Sequence, residues 1–148
     1  MSLKDTLRSD VTTALKARDE LVTTSLRSVI SAVQTAEKSG KTAVEFDDAA
    51  VLQVIQKQVK QRRESSQKYT DGGQHERAAR ELAEAAVLES YLPTPLDDQE
   101  LNALVASVLD GFDSPTQSDF GSIMKAVKEV ADGRADGGRI SKAVKAAL

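Results

Sequence analysis

Apolar side chains recur along this chain every three or four residues, the spacing of one helical face, almost from end to end. Leu3, Leu7, Val11 and Leu15 form the first stripe, and Ser2 with Asp5 three residues on predicts a capping box ahead of it. This helix is expected to end near Arg18. Asp19 is placed to cap a second helix, striped by Leu26, Val29, Ile30, Val33 and Ala36, and Gly40 reads as its stop. A third begins at Asp47, with Phe46 as part of a hydrophobic staple, and carries Val51, Leu52, Val54, Ile55 and Val59. Past Val59 it turns polar, running Lys60-Gln61-Arg62-Arg63-Glu64-Ser65-Ser66-Gln67-Lys68 before Tyr69 and Gly72-Gly73. A helix this polar needs a partner held against it. The fourth helix, from Gln74 to Tyr91, is predicted to supply one through Ala78, Ala79, Leu82, Ala85 and Ala86, closing a long helical hairpin.

Pro93 and Pro95 interrupt the pattern. Each lacks a backbone N–H and disfavours helix in the residue before it, so the fourth helix must stop near Leu92 and the next residues are stiff. Asp97 can then cap a fifth helix bearing Leu101, Leu104, Val105, Val108, Leu109 and Phe112. A turn over residues 111–115 leads to a sixth with Phe120, Ile123, Met124, Val127 and Val130. The loop of residues 132–138 precedes a seventh with Ile140, Val144, Ala147 and Leu148. No stretch alternates with the period of a strand. The prediction is an all-α protein: a four-helix N-terminal body over residues 1–92, a proline joint, and a small three-helix bundle over residues 96–148.

Composition narrows this picture. Aromatic residues are 3% of the chain, so the cores must rest on Leu, Val, Ile and Ala. There is no cysteine, which excludes disulfides and thiolate metal sites. No apolar run approaches the roughly 20 residues that span a bilayer, so no membrane partner is expected. Met1-Ser2-Leu3-Lys4-Asp5 lacks the apolar core of a signal peptide, and cytoplasmic residence is the expectation. Charge is segregated within a net −3: residues 92–120 hold six acids and no base, and residues 121–148 hold six bases and three acids.

That basic segment contains the best candidate site. In the loop from Asp132 to Arg139, Gly137 and Gly138 are expected to allow positive φ and close backbone approach where the seventh helix begins. Exposed N–H groups there could meet a phosphate. Arg134 and Arg139 flank the point, and Lys125, Lys128, Lys142 and Lys145 extend it into a basic patch. The plainer reading is a glycine turn with solvated lysines. Calcium is excluded, because Arg134 and Ala143 stand where an EF-hand needs a ligand and a bidentate Glu; the P-loop pattern is absent as well. A second basic run, Lys57, Lys60, Arg62, Arg63 and Lys68, could add phosphate contacts, but Glu76, Glu81 and Glu84 offer countercharges. Arg27 is expected to pair with an acid of the N-terminal body. His75 is the only histidine, so neither a metal site nor a catalytic triad can be assembled around it, and no metal or cofactor is expected. Asp97, Asp98 and Glu100 read as acids at a helix N-terminus, and Tyr69 and Tyr91 as closures of the hairpin. No catalytic constellation emerges.

Four motifs together carry a resemblance. Leu26-Arg27-Ser28-Val29-Ile30-Ser31-Ala32, Gln58-Val59-Lys60-Gln61-Arg62-Arg63-Glu64-Ser65, Glu89-Ser90-Tyr91-Leu92-Pro93 and Gly133-Arg134-Ala135-Asp136-Gly137 resemble, in order, motifs of the YqeY-like proteins. These share a domain with the C-terminal tail of the GatB subunit of tRNA-dependent amidotransferases. The resemblance implies a helical N-terminal body followed by a three-helix tail. It also implies a link to carbon–nitrogen ligases that use glutamine as amide donor, in which the related tail recognises tRNA and other parts carry the chemistry. The resulting expectation is a helical adaptor binding tRNA or another structured RNA through its C-terminal body, with tRNA-aminoacylation or amidotransferase proteins as possible companions. The alternative is a protein-interaction module that binds no nucleic acid.

Overall fold

Side-chain caps set where five of the helices begin. In the computed structural model, which describes residues Met1–Leu148, these are Ser2 for α1 (Leu3–Lys16), Asp19 for α2 (Glu20–Glu37), Asp47 for α3 (Asp48–Asp71), Asp97 for α5 (Asp98–Leu109) and Asp136 for α7 (Gly137–Ala147). Each accepts a hydrogen bond from an N–H of the first turn, which has no partner within the helix. Two helices, α4 (His75–Glu89) and α6 (Phe120–Ala131), start without a side-chain cap, and a single 3-10 turn, Gln117–Asp119, leads into α6. The protein is all-α with no strand. It divides into two compact units, Met1–Leu92 with α1 to α4 and Pro93–Leu148 with α5 to α7.

Leu7, Val11, Leu26, Val29, Val33, Val51, Ile55, Val59, Ala85 and Leu88 make the core of the first unit. The first helix stops at Lys16 because Arg18 takes a left-handed conformation at φ 56°. That lets Arg18 N–H and Asp19 N–H return to the carbonyls of Leu15 and Ala14 at 3.1 and 2.9 Å, a Schellman closure. Leu15, assigned to the buried stripe from its spacing, is 47% exposed, and Ala14 is buried in its place. The second helix ends at Glu37, ahead of Gly40.

Within the hairpin, charge decides which face of α4 turns inward. Arg62 lies largely buried, with the Glu84 carboxylate directly against it and Glu81 at 3.6 Å. Arg80 reaches the other oxygen of Glu84 at 3.1 Å, and Arg63 pairs with Glu89. The Ser66 hydroxyl donates to the carbonyl of Ala78 at 2.9 Å. With Glu84 inward, Ala78, Ala85 and Leu88 are buried, whereas Ala79, Leu82 and Ala86 face solvent; Leu82 is 52% exposed. The smooth alanine face expected from spacing is thus turned by less than a third of a helical circle. At the end of the hairpin Tyr91 donates to Asp10 at 2.6 Å, tying the chain after α4 to α1. Burial first, and then Asp10, hold the Tyr91 phenol well above its ordinary pKa. Arg27 is exposed on α2 and makes no ion pair, contrary to the expected pairing, because it faces solvent with no acid within ion-pair distance.

Glu37 closes the other end of this unit. It accepts from the Lys4 ammonium and from the Phe46 N–H, each at 2.7 Å, and these bonds hold its carboxyl below the ordinary value of 4.5. Leu3 N–H donates to Asp48 at 2.8 Å beside it.

Two outcomes are expected. Glu84→Ala leaves the Arg62 guanidinium buried without its main partner and should lower the unfolding free energy by about 3 kcal/mol, read from urea denaturation. Replacing both Arg62 and Glu84 by Leu should cost much less. Glu37 has a lower pKa folded than unfolded, so its contribution is present at pH above its unfolded value and disappears as pH falls through the folded one. Glu37→Gln should therefore lower the melting temperature at pH 7 and flatten the loss of stability below about pH 4.5.

Candidate functional site

The basic residues of the second unit are carried by two helices and one corner. Its core is Leu96, Leu101, Val105, Ile123, Val127, Ala131, Ile140 and Val144. The corner between α6 and α7 turns on left-handed backbone at Asp132, φ 48°, and Gly133, φ 79°. Glycine meets the second of these without strain. Gly137 and Gly138, expected to supply positive φ, instead begin α7 in ordinary helical conformation. The Asp136 carboxylate accepts from Arg139 N–H at 2.7 Å, so a negative group of the chain itself already sits at the start of that helix.

Both arginines of the loop are engaged within the unit. The Arg134 carbonyl accepts from Leu96 N–H at 2.7 Å, and Arg134 Nε donates to the carbonyl of Thr94 at 2.8 Å. Its guanidinium is 3.6 Å from Glu100, and that of Arg139 is 3.1 Å from Asp98. Arg134 thereby fastens Thr94 to Leu96, and Leu96 enters the core. Residues 94–96, expected to be part of a stiff joint, belong by these bonds to the second unit. Asp97, Asp98 and Glu100 act as a cap and as countercharges, which accounts for all three acids at the start of α5.

The lysines are placed differently. Lys125, Lys128, Lys142 and Lys145 are all exposed, and no acid lies within ion-pair distance of any of them. Lys128 reaches from α6 to the first turn of α7, where a Cβ built on Gly137 would stand 3.8 Å from its Nζ. Lys145 reaches from α7 back to α6, its Nζ 5.8 Å from the centre of the Phe120 ring. Both therefore overhang the same α6–α7 seam. Lys125 and Lys142 each lie three residues earlier on their helices, about 60° round and one turn along. All four are exposed on α6 and α7, while Arg134 and Arg139 pair with Glu100 and Asp98 of α5.

In the first unit Arg62 and Arg63 are committed to acids, while Lys57 and Lys60 are exposed and unpaired, so the second basic run does not act as a set. His75 is the exposed first residue of α4, and no group of three potential metal ligands forms. Tyr69 is half-buried under Arg77, 5.9 Å from ring centre to guanidinium carbon. Phe120 and Gln117 were missed as functional candidates. Phe120 falls on the apolar stripe of its helix, and its partner Lys145 is too distant in sequence to leave a local signature.

Comparison with known proteins follows the same outline. A family model described as "Yqey-like protein" matches residues 4–148. The relative named "Altered inheritance of mitochondria protein 41, mitochondrial" in Pyrenophora tritici-repentis is 27% identical over 142 residues, 93% of this chain and 76% of that protein. The protein of the same name in Meyerozyma guilliermondii is 33% identical over 125 residues, 83% of this chain and 63% of that protein. A third of that name, in Vanderwaltozyma polyspora, is 26% identical over 106 residues, 70% of this chain and 57% of that protein. The chain thus spans about three-fifths of the length of the last two. These names overturn the expectation of cytoplasmic residence, since all three relatives are named as mitochondrial. The feature read from the sequence was the wrong one: mitochondrial targeting segments are amphipathic and Arg-rich, so lack of an apolar core says nothing about them. No helix is long and apolar enough to cross a membrane.

Arg134→Ala removes the bond to Thr94 and should cost about 1 kcal/mol of stability in urea denaturation. Arg134→Lys should recover little of it, because an ammonium cannot reproduce the planar fork that holds Thr94 and faces Glu100 together.

Proposed function

Because the chain belongs to the Yqey-like family, we propose that it is a non-catalytic helical adaptor that binds structured RNA, tRNA above all, through the lysine face of α6 and α7. The observation that carries this reading is the set of four exposed lysines on α6 and α7, none within ion-pair distance of an acid, in a protein whose net charge is −3. Cations left unmatched in an acidic protein present a local positive potential that a polyanion would meet. The resemblance of this unit to the tRNA-recognising tail of amidotransferases supports tRNA as the polyanion. It also supports proteins of glutamine-dependent amide transfer as companions. The adaptor reading is supported by Asp97, Asp98, Glu100 and Asp136, the acids nearest the loop arginines, which are taken up as helix caps and ion pairs. One observation favours a protein partner instead: Ala79, Leu82 and Ala86 leave an apolar stripe exposed on α4.

Binding of total tRNA, followed by fluorescence anisotropy while salt is varied, separates the two. Four phosphate contacts predict a slope of about −3 in log affinity against log salt, from released counterions. Reversing all four charges (Lys125→Glu, Lys128→Glu, Lys142→Glu and Lys145→Glu) should weaken binding at least about 100-fold at low salt. No binding of tRNA by the unaltered chain at low salt would discard the RNA reading in favour of the protein partner.

A further inference from the structure

At one end of the lysine face the surface opens into a cleft of about 400 Å³ lined by Gln117, Phe120, Lys145 and Leu148. We propose that this cleft receives one unstacked nucleobase, so that the RNA bound is one presenting an unpaired nucleotide beside a helix. The inference rests on the RNA reading above and deepens it.

The chain has three phenylalanines and two tyrosines. Tyr91 is held by Asp10, Tyr69 lies under Arg77, and Phe46 and Phe112 pack against the two cores. Phe120 packs on the core as well, yet it also lines the cleft at the very start of α6, half-buried, with the Lys145 ammonium as its polar neighbour. The volume falls within the range of small-molecule sites, roughly 300–1,000 Å³, and is ample for a base.

The lining also has the chemistry a base requires. Phe120 and Leu148 offer apolar surface, and the Lys145 ammonium, which lies over the Phe120 ring at 5.8 Å, would swing aside toward the attached phosphate as a planar base stacks there. Gln117, exposed on the 3-10 turn, has an amide that both donates and accepts, matching the polar edge of any base. Lys145 stands where the attached phosphate would be neutralised, and Lys142 lies one turn of α7 away for the next. An apolar peptide side chain would use Phe120 and Leu148 but would leave the lysines unmatched. The combination of aromatic surface, amide and cations fits a nucleotide better.

The experiment uses the full chain and three RNA hairpins with one common stem: blunt, with a four-nucleotide single-stranded end, and with the same end made abasic. The abasic end carries the phosphates but no bases. The base-bearing end should bind about tenfold tighter than the abasic one, the lower part of the range for one stacked base. Phe120→Leu, which keeps apolar bulk on the core, and Gln117→Ala, on an exposed turn, should each shrink that ratio toward one. Equal affinity for base-bearing and abasic ends would overturn the nucleobase site while leaving RNA binding standing. Failure of all three hairpins to bind at low salt would overturn both and leave the cleft to a protein partner.

Discussion

A guanidinium taken out of water must be matched, and much of the first unit follows from that constraint at Arg62. Beyond Val59 the third helix has too few apolar side chains to be held by hydrophobic burial alone. Glu84 and Glu81 meet Arg62, and the Ser66 hydroxyl meets a carbonyl of α4, so polar bonds take over along the length of the hairpin where the aliphatic core ends. An unmatched buried charge is far more costly than a matched one is stabilising. The pair therefore acts mainly as a selector. Only the rotation of α4 that brings Glu84 inward is tolerable, and that rotation sends Leu88 into the core while leaving Leu82 in water. With α4 so oriented, Tyr91 emerges where it can reach Asp10.

This explains what could and could not be read from the chain. Helix starts were legible because a capping Asp or Ser acts on N–H groups two or three residues away, a local event that spacing records. Asp19, Asp47 and Asp97 each accept where the sequence placed them. The inward face of α4 was not legible, because two alanine-bearing faces lie side by side and the choice between them is made by Arg62, some twenty residues earlier in the chain. Leu15 misled for a similar reason: its spacing continues the stripe, but the Schellman closure at Arg18 ends the helix within a turn of it. The candidate site divides in the same way. Clustering of basic residues was visible in the sequence, but their separation into engaged arginines and free lysines depends on contacts with Thr94, Asp98 and Glu100, about forty positions away.

That separation has a chemical basis. Arginine presents several donors in a fixed plane and is weakly hydrated, so it loses little by facing a carbonyl and a carboxylate at once. Arg134 does this, and the loop it stands in becomes a fastening for the residues after Pro93 rather than an open cradle for an anion. Lysine carries a compact, strongly hydrated charge on a flexible stem, and leaving it in water costs the fold nothing. In the second unit the arginines therefore serve the chain's own geometry. The lysines remain available to whatever approaches the α6–α7 seam.

Availability alone would be a weak argument, since most surface lysines are simply solvated. What distinguishes these four is their arrangement relative to the acids. Within the same small unit, residues 92–120 carry six carboxylates and no base. Ion pairing uses Asp98 and Glu100 against Arg139 and Arg134. Glu129, Asp132 and Asp136 share α6, α7 and their corner with the lysines, yet none of them lies within ion-pair distance of one. If the proposed RNA binding holds, the four unpaired lysines are where a polyanion would be drawn in. Orientation would then be set by long-range charge before any short-range contact formed.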